Sequence, residues 1–114
     1  MLKAMEELKS MIDEFVEEEK KLTEDIEIRL QAIQQSQIYL NSLYEKEDDG
    51  ARIFSPRNIE NQYQEEITQS NDRIKALESA NREDYKQRNR LRERRERLEH
   101  IYQELDQELG RINI

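Results

Sequence analysis

The sequence predicts an all-α protein, a long antiparallel coiled-coil helical hairpin, and three observations carry that expectation. Apolar residues recur at alternating spacings of four and three through two long runs, the pattern of a seam buried between helices. The runs are interrupted once, over residues 47–56. Their local charges are opposite, acidic early in the first run and arginine-rich in the second. With 34% hydrophobic and 40% charged residues the chain cannot build a thick globular core. Two glycines and one proline leave long helices uninterrupted.

The first helix is expected over about residues 2–48. Its seam runs through Met1, Met5, Leu8, Ile12, Phe15, Leu22, Ile26, Ile33, Leu40 and Leu43, with Glu19, Arg29 and Ser36 as polar interruptions. A loop over about 49–55 follows, with Asp48, Asp49 and Gly50 ending the helix. The second helix is expected over about 56–111. Ser55 is a good N-cap, and Pro56 suits the first helical position, where its missing N–H costs nothing. Phe54 and Ile59 have the spacing of a hydrophobic staple. Its seam holds phase through Tyr63, Ile67, Ser70, Ile74 and Leu77, then Leu91, Leu98, Tyr102, Leu105, Leu109 and Ile112. Asn81, Asp84, Arg88 and Arg95 make its middle polar. The two helices would span roughly 70 and 80 Å.

Folding back about the loop sets Ile12 opposite Leu91, Leu22 opposite Asn81, Ile26 opposite Leu77 and Leu40 opposite Tyr63. The early acids, Glu6 to Glu19, then lie beside the arginines of residues 82–97, and flanking charges of opposite sign select partner and direction. One layer is awkward, since Glu19 meets Asp84, with Arg88 as the expected neutraliser. A parallel pairing of two second helices would instead stack Arg88 and Arg95 on their own copies.

A lone hairpin in this register leaves apolar surface uncovered. Leu105, Leu109 and Ile112 overhang Met1, and a second stripe (Leu2, Val16, Leu30, Tyr44) flanks the first seam, with Met11, Ala32 and Tyr39 on its other side. Burial of one leucine-sized side chain is worth about 1.5–3 kcal/mol. The expectation is a homodimer of hairpins, a four-helix assembly in which the partner chain covers the overhang.

The net charge of -8 repels polyanions and anionic membranes. The absence of cysteine removes disulfides and thiolate chemistry. No stretch has the roughly 18 apolar residues of a membrane span, and the first residues lack the apolar core of a secretion signal. A soluble cytoplasmic protein that binds no membrane is expected. His100, between Glu96 and Glu104, is read as a solvated side chain, because no second histidine is present to complete a metal pair. The many carboxylates read as a solvated face, and the lone Gly50 builds no phosphate cradle. No enzyme activity, metal or cofactor is expected.

Two stretches have alternative uses. Arginines over 82–97 could follow a phosphate backbone, although Glu83, Asp84, Glu93 and Glu96 are interleaved with them. Internal charge pairing is the first expectation there, and a nucleic-acid-associated protein is the runner-up reading of the chain. At the hairpin tip, Ile53 and Phe54 are candidates for docking a partner protein, against the simpler role of closing the bundle end.

Phe54-Ser55 with Ile59 and Tyr63, and the run from Leu91 to Glu99 (Leu-Arg-Glu-Arg-Arg-Glu-Arg-Leu-Glu), make the second helix resemble the cytoplasmic coiled-coil sensor region of DegS-type bacterial histidine kinases. That resemblance covers about half the chain and implies a dimeric signalling segment. It does not carry kinase activity over, since His100 is followed by Ile101 where the family's histidine box has an acidic residue. The expected function is therefore a non-enzymatic coiled-coil module for dimerisation and protein–protein interaction, a sensor or adaptor in a bacterial signalling or regulatory pathway.

Overall fold

A computed structural model of the chain contains two helices, α1 (Leu2–Ile53) and α2 (Pro56–Ile112), folded as a helical hairpin with no strand among the described residues. The structure describes residues 2–53 and 56–112, with side chains described over 2–48 and 63–112. The Ser55 cap, the Phe54–Ile59 staple and the docking side chains Ile53 and Phe54 lie outside the described residues.

α1 continues past the acidic Asp48–Asp49–Gly50 stretch that was expected to end it. A glycine inside a helix costs about 1 kcal/mol relative to alanine, too little to stop a long helix when the following Ala51 and Arg52 favour helix. The residue that starts a new element is Pro56, whose ring cannot continue an incoming helix but suits the first turn of the next.

Contacts divide the chain into two units, each pairing a length of α1 with a length of α2: Ile26–Arg82, and Met1–Asp25 with Glu83–Ile114. In the Ile26–Arg82 unit, Ile26, Ile33 and Leu43 of α1 and Ile67 and Ile74 of α2 are buried, and Leu40 and Leu77 are half-buried. Ile26 and Leu43 are only 2% and 1% exposed. Ser36, Ser70 and Asn81 are buried polar residues of the same unit.

The register in this unit differs from expectation by one helical turn. Asn81 donates from Nδ2 to the carbonyl oxygen of Ile26 at 3.4 Å, so it lies beside Ile26 rather than Leu22. Similar apolar residues recur at every layer, so heptad periodicity defines the buried face but tolerates sliding by a turn. A buried amide does not tolerate sliding, because its N–H groups need an acceptor.

In the Met1–Asp25, Glu83–Ile114 unit, Met5 and Leu91 are buried. Leu8, Ile12, Phe15 and Leu22 on α1, with Leu98, Tyr102, Leu105 and Leu109 on α2, are half-buried. Ile12 lines a groove with Lys9, Glu99, Tyr102 and Gln103. Of the expected overhang, Leu105 and Leu109 are half-buried within the protomer, and Ile112 is exposed.

Candidate functional site

The most constrained polar cluster surrounds Glu19, a carboxylate at a seam position and only 8% exposed. Arg95 meets it with a two-pronged contact, Nε to Oε2 at 2.6 Å and Nη2 to Oε1 at 3.3 Å. Such fork-on-fork pairs are among the strongest charge-assisted hydrogen bonds. Arg92 adds its Nε at 3.5 Å from Oε1. Arg95 also donates from Nη1 to Glu99 one turn along α2, at 2.8 Å. The hydrogen bonds to Glu19 and then Glu99 hold the Arg95 guanidinium above its already high pKa, although burial opposes them.

A second strand of this network starts at Thr23. Its hydroxyl donates to the Glu19 carbonyl at 2.9 Å and accepts from Arg88 Nη1 at 3.2 Å. The Arg88 guanidinium sits 5.0 Å from the centroid of the Tyr85 ring, close enough for a cation–π contact. Its Nε is buried without a partner. The expected layer, with Glu19 opposite Asp84 and neutralised by Arg88, is therefore corrected. Glu19 is neutralised by Arg95 and Arg92, and Arg88 serves Thr23. Electrostatics favours the observed pairing, because a buried carboxylate facing a second carboxylate would carry an uncompensated desolvation cost.

The remainder of the arginine stretch faces solvent. Arg82, Arg90, Arg94 and Arg97 are exposed, and Lys86, Arg90 and Arg94 line a shallow groove with Glu83, Gln87 and Leu91. Lys86 pairs with Glu83 at 3.6 Å. His100 is exposed, with Nε2 3.0 Å from Glu104 Oε1. No cluster of three metal-ligating side chains occurs among the described residues, and no helix among them is long and apolar enough to cross a membrane.

In the Ile26–Arg82 unit, Tyr39 donates its hydroxyl to Glu66 across the helices at 3.1 Å. That hydrogen bond, helped by desolvation and the carboxylate's charge, raises the phenol pKa. Beside it is a groove lined by Ala32, Gln35, Ser36, Gln69, Ser70 and Arg73, where small seam residues leave the helices incompletely filled.

Among the described residues, large apolar side chains left exposed concentrate on α1. Leu2, Met11, Val16, Ile28, Leu30, Ile38, Tyr39 and Tyr44 belong to it, while α2 contributes Ile101 and Ile112. The expected second stripe, Leu2, Val16, Leu30 and Tyr44, is among them. Heptad reading passed over Ile28, the 62%-exposed Ile38, and a simple feature of their surroundings. From residue 30 to residue 44 no side chain is charged, in a chain where 40% of residues are. A count of charge along the sequence would have exposed it.

No protein family, characterised protein or solved structure matches the chain. What the residues define is an all-α hairpin with an ion-paired seam in one unit and an uncharged, partly apolar outer face in the other.

Proposed function

We propose that this chain is a non-enzymatic coiled-coil module that homodimerises and engages another protein in a signalling or regulatory assembly. The observation that supports it best is the unequal distribution of exposed apolar residues between the helices: among the described residues α1 carries most of them and α2 few. Exposed apolar side chains scattered singly are ordinary, but a helix that repeats them on several turns favours association. The polar groups fit the same reading. The Glu19–Arg95 cluster is consumed in joining α1 to α2, and the grooves are shallow and open, so the chemistry on offer is adhesion. The exposed arginines are interleaved with exposed Glu83, Glu93 and Glu96, which makes that stretch the weaker surface for a nucleic acid.

The test is the mass of the protein in solution. Sedimentation equilibrium from about 1 to 500 µM should show a reversible shift from monomer towards dimer, as expected of an interface in the weak class. A monomeric mass over that whole range would end the dimerisation reading.

A further inference from the structure

We infer that the dimer forms through the uncharged face of α1 centred on Gln37, with the same face of a second copy as its occupant. This rests on the dimerisation reading above and specifies where it acts.

Charge makes the first argument. Two copies of a chain of net charge -8 repel each other wherever their surfaces carry that charge. Residues 30–44 are where α1 carries none. Within them Leu30, Gln34, Gln37, Asn41 and Tyr44 follow one another at spacings of four and three, and all five are exposed. They form one continuous stripe on the outside of the unit.

The flanks decide between the two sides of α1. One side abuts the groove that contains Glu66 and Arg73, where Tyr39 is already engaged with Glu66. The heptad places Gln64, Asn71 and Glu78 of α2 on the other side, next to the stripe, and of these only Glu78, at the Leu30 end, is charged. The stripe therefore has an uncharged centre, and its border beside Gln37 and Tyr44 is uncharged as well.

Composition selects a second copy over a partner of different chemistry. Each of Gln34, Gln37 and Asn41 carries both donors and acceptors, so a row of amides is complementary to itself. A charged row would need a row of opposite sign. Leu30 and Tyr44 bracket the amides with apolar surface at both ends, and Ile38 adds an exposed apolar side chain beside them. Depletion of charge with retention of aromatic and apolar groups is also how the centre of a protein interface differs from other surface. The stretch is roughly 22 Å long. A face of that length buries less than the roughly 1,600 Å² of a standard interface. The dimer is accordingly weak, with a dissociation constant on the order of tens of micromolar.

Gln37 lies at the centre of the stretch, so two-fold pairing in either helix direction sets it near its counterpart in the second copy. This suggests a charge-swap experiment by sedimentation equilibrium, using Gln37→Glu, Gln37→Lys and, as a control, Gln107→Glu at an exposed position of the other unit. Circular dichroism of each variant confirms that the helices are retained. Gln37→Glu and Gln37→Lys should each weaken self-association about tenfold. Mixing the two should restore a dimer containing one of each, and Gln107→Glu, with the same added charge as Gln37→Glu, should match the wild type. If the wild type dimerises and Gln37→Glu behaves like Gln107→Glu, this surface is wrong while dimerisation stands. If the wild type is monomeric throughout, both fail.

Discussion

The two units join the same pair of helices by different means. The Ile26–Arg82 unit buries five of the apolar residues that form the core, and its buried polar groups are the neutral Ser36, Ser70 and Asn81. The Met1–Asp25, Glu83–Ile114 unit buries only Met5 and Leu91 in that class, and it buries the carboxylate of Glu19. Apolar burial is strong but nearly indifferent to sliding by a turn, because one leucine or isoleucine layer resembles the next. A fork-held ion pair adds less net stability, since desolvation offsets much of its attraction, yet it permits one register only. The first unit supplies most of the adhesion, with one neutral amide, Asn81, to fix its register, and the second relies on an ion pair for selectivity.

The largest effect expected from that contrast is a difference between two isoleucines. Ile26→Ala should cost about 3 kcal/mol, in the usual range for a fully buried isoleucine. Ile12→Ala, at a half-buried site beside an open groove, should cost about 1 kcal/mol. Urea denaturation followed by circular dichroism gives both. Equal losses would mean that the two seams are equally dense and that the contrast is mistaken.

The ion pair gives the next effect. Glu19→Ala and Arg95→Ala should each destabilise by about 2 kcal/mol, with a coupling of about 1–2 kcal/mol between them in a double-mutant cycle. Arg95 keeps partial solvent access, so the coupling should shrink at high salt. A coupling below about 0.5 kcal/mol would place the pair with ordinary surface ion pairs and remove the basis for calling this unit selective.

These two tests also mark what could be read from the sequence. The buried faces could be read, because Met5, Ile26, Ile33, Leu43, Ile67, Ile74 and Leu91 all fall on the four-three pattern. The antiparallel hairpin could be read from one break between two in-phase runs. The register could not. Acids and arginines match in bulk over several neighbouring registers, and what distinguishes them is the reach of individual side chains, Arg95 to Glu19 and Asn81 to the Ile26 carbonyl. The end of α1 was missed because Gly50 was given more weight as a stop than one glycine has. The uncharged face of residues 30–44 was legible, but a search confined to seam positions does not see a helix's outer surface.

The smallest effect separates the units by pH. Tyr39, in the apolar unit, is the phenol whose pKa is raised above its ordinary value, first by its hydrogen bond to Glu66, then by desolvation and by the carboxylate's charge. A raised folded-state pKa means the folded chain holds that proton more tightly than the unfolded chain does. The resulting stability is fully present below the unfolded value near pH ~10 and is lost as the pH rises through the higher folded value. Beyond it, the ionised phenol and Glu66 repel each other across the helices. Tyr39→Phe removes this contribution and leaves the ring. The stability difference between wild type and Tyr39→Phe should therefore favour the wild type at about pH 9 and narrow by about pH 11.5. Glu66→Gln, which keeps an acceptor but removes the charge, should lessen the narrowing. A difference that holds constant across that range would mean that the contact does not outlast solvent competition on this exposed edge. The Ile26–Arg82 unit would then be joined by its buried seam alone.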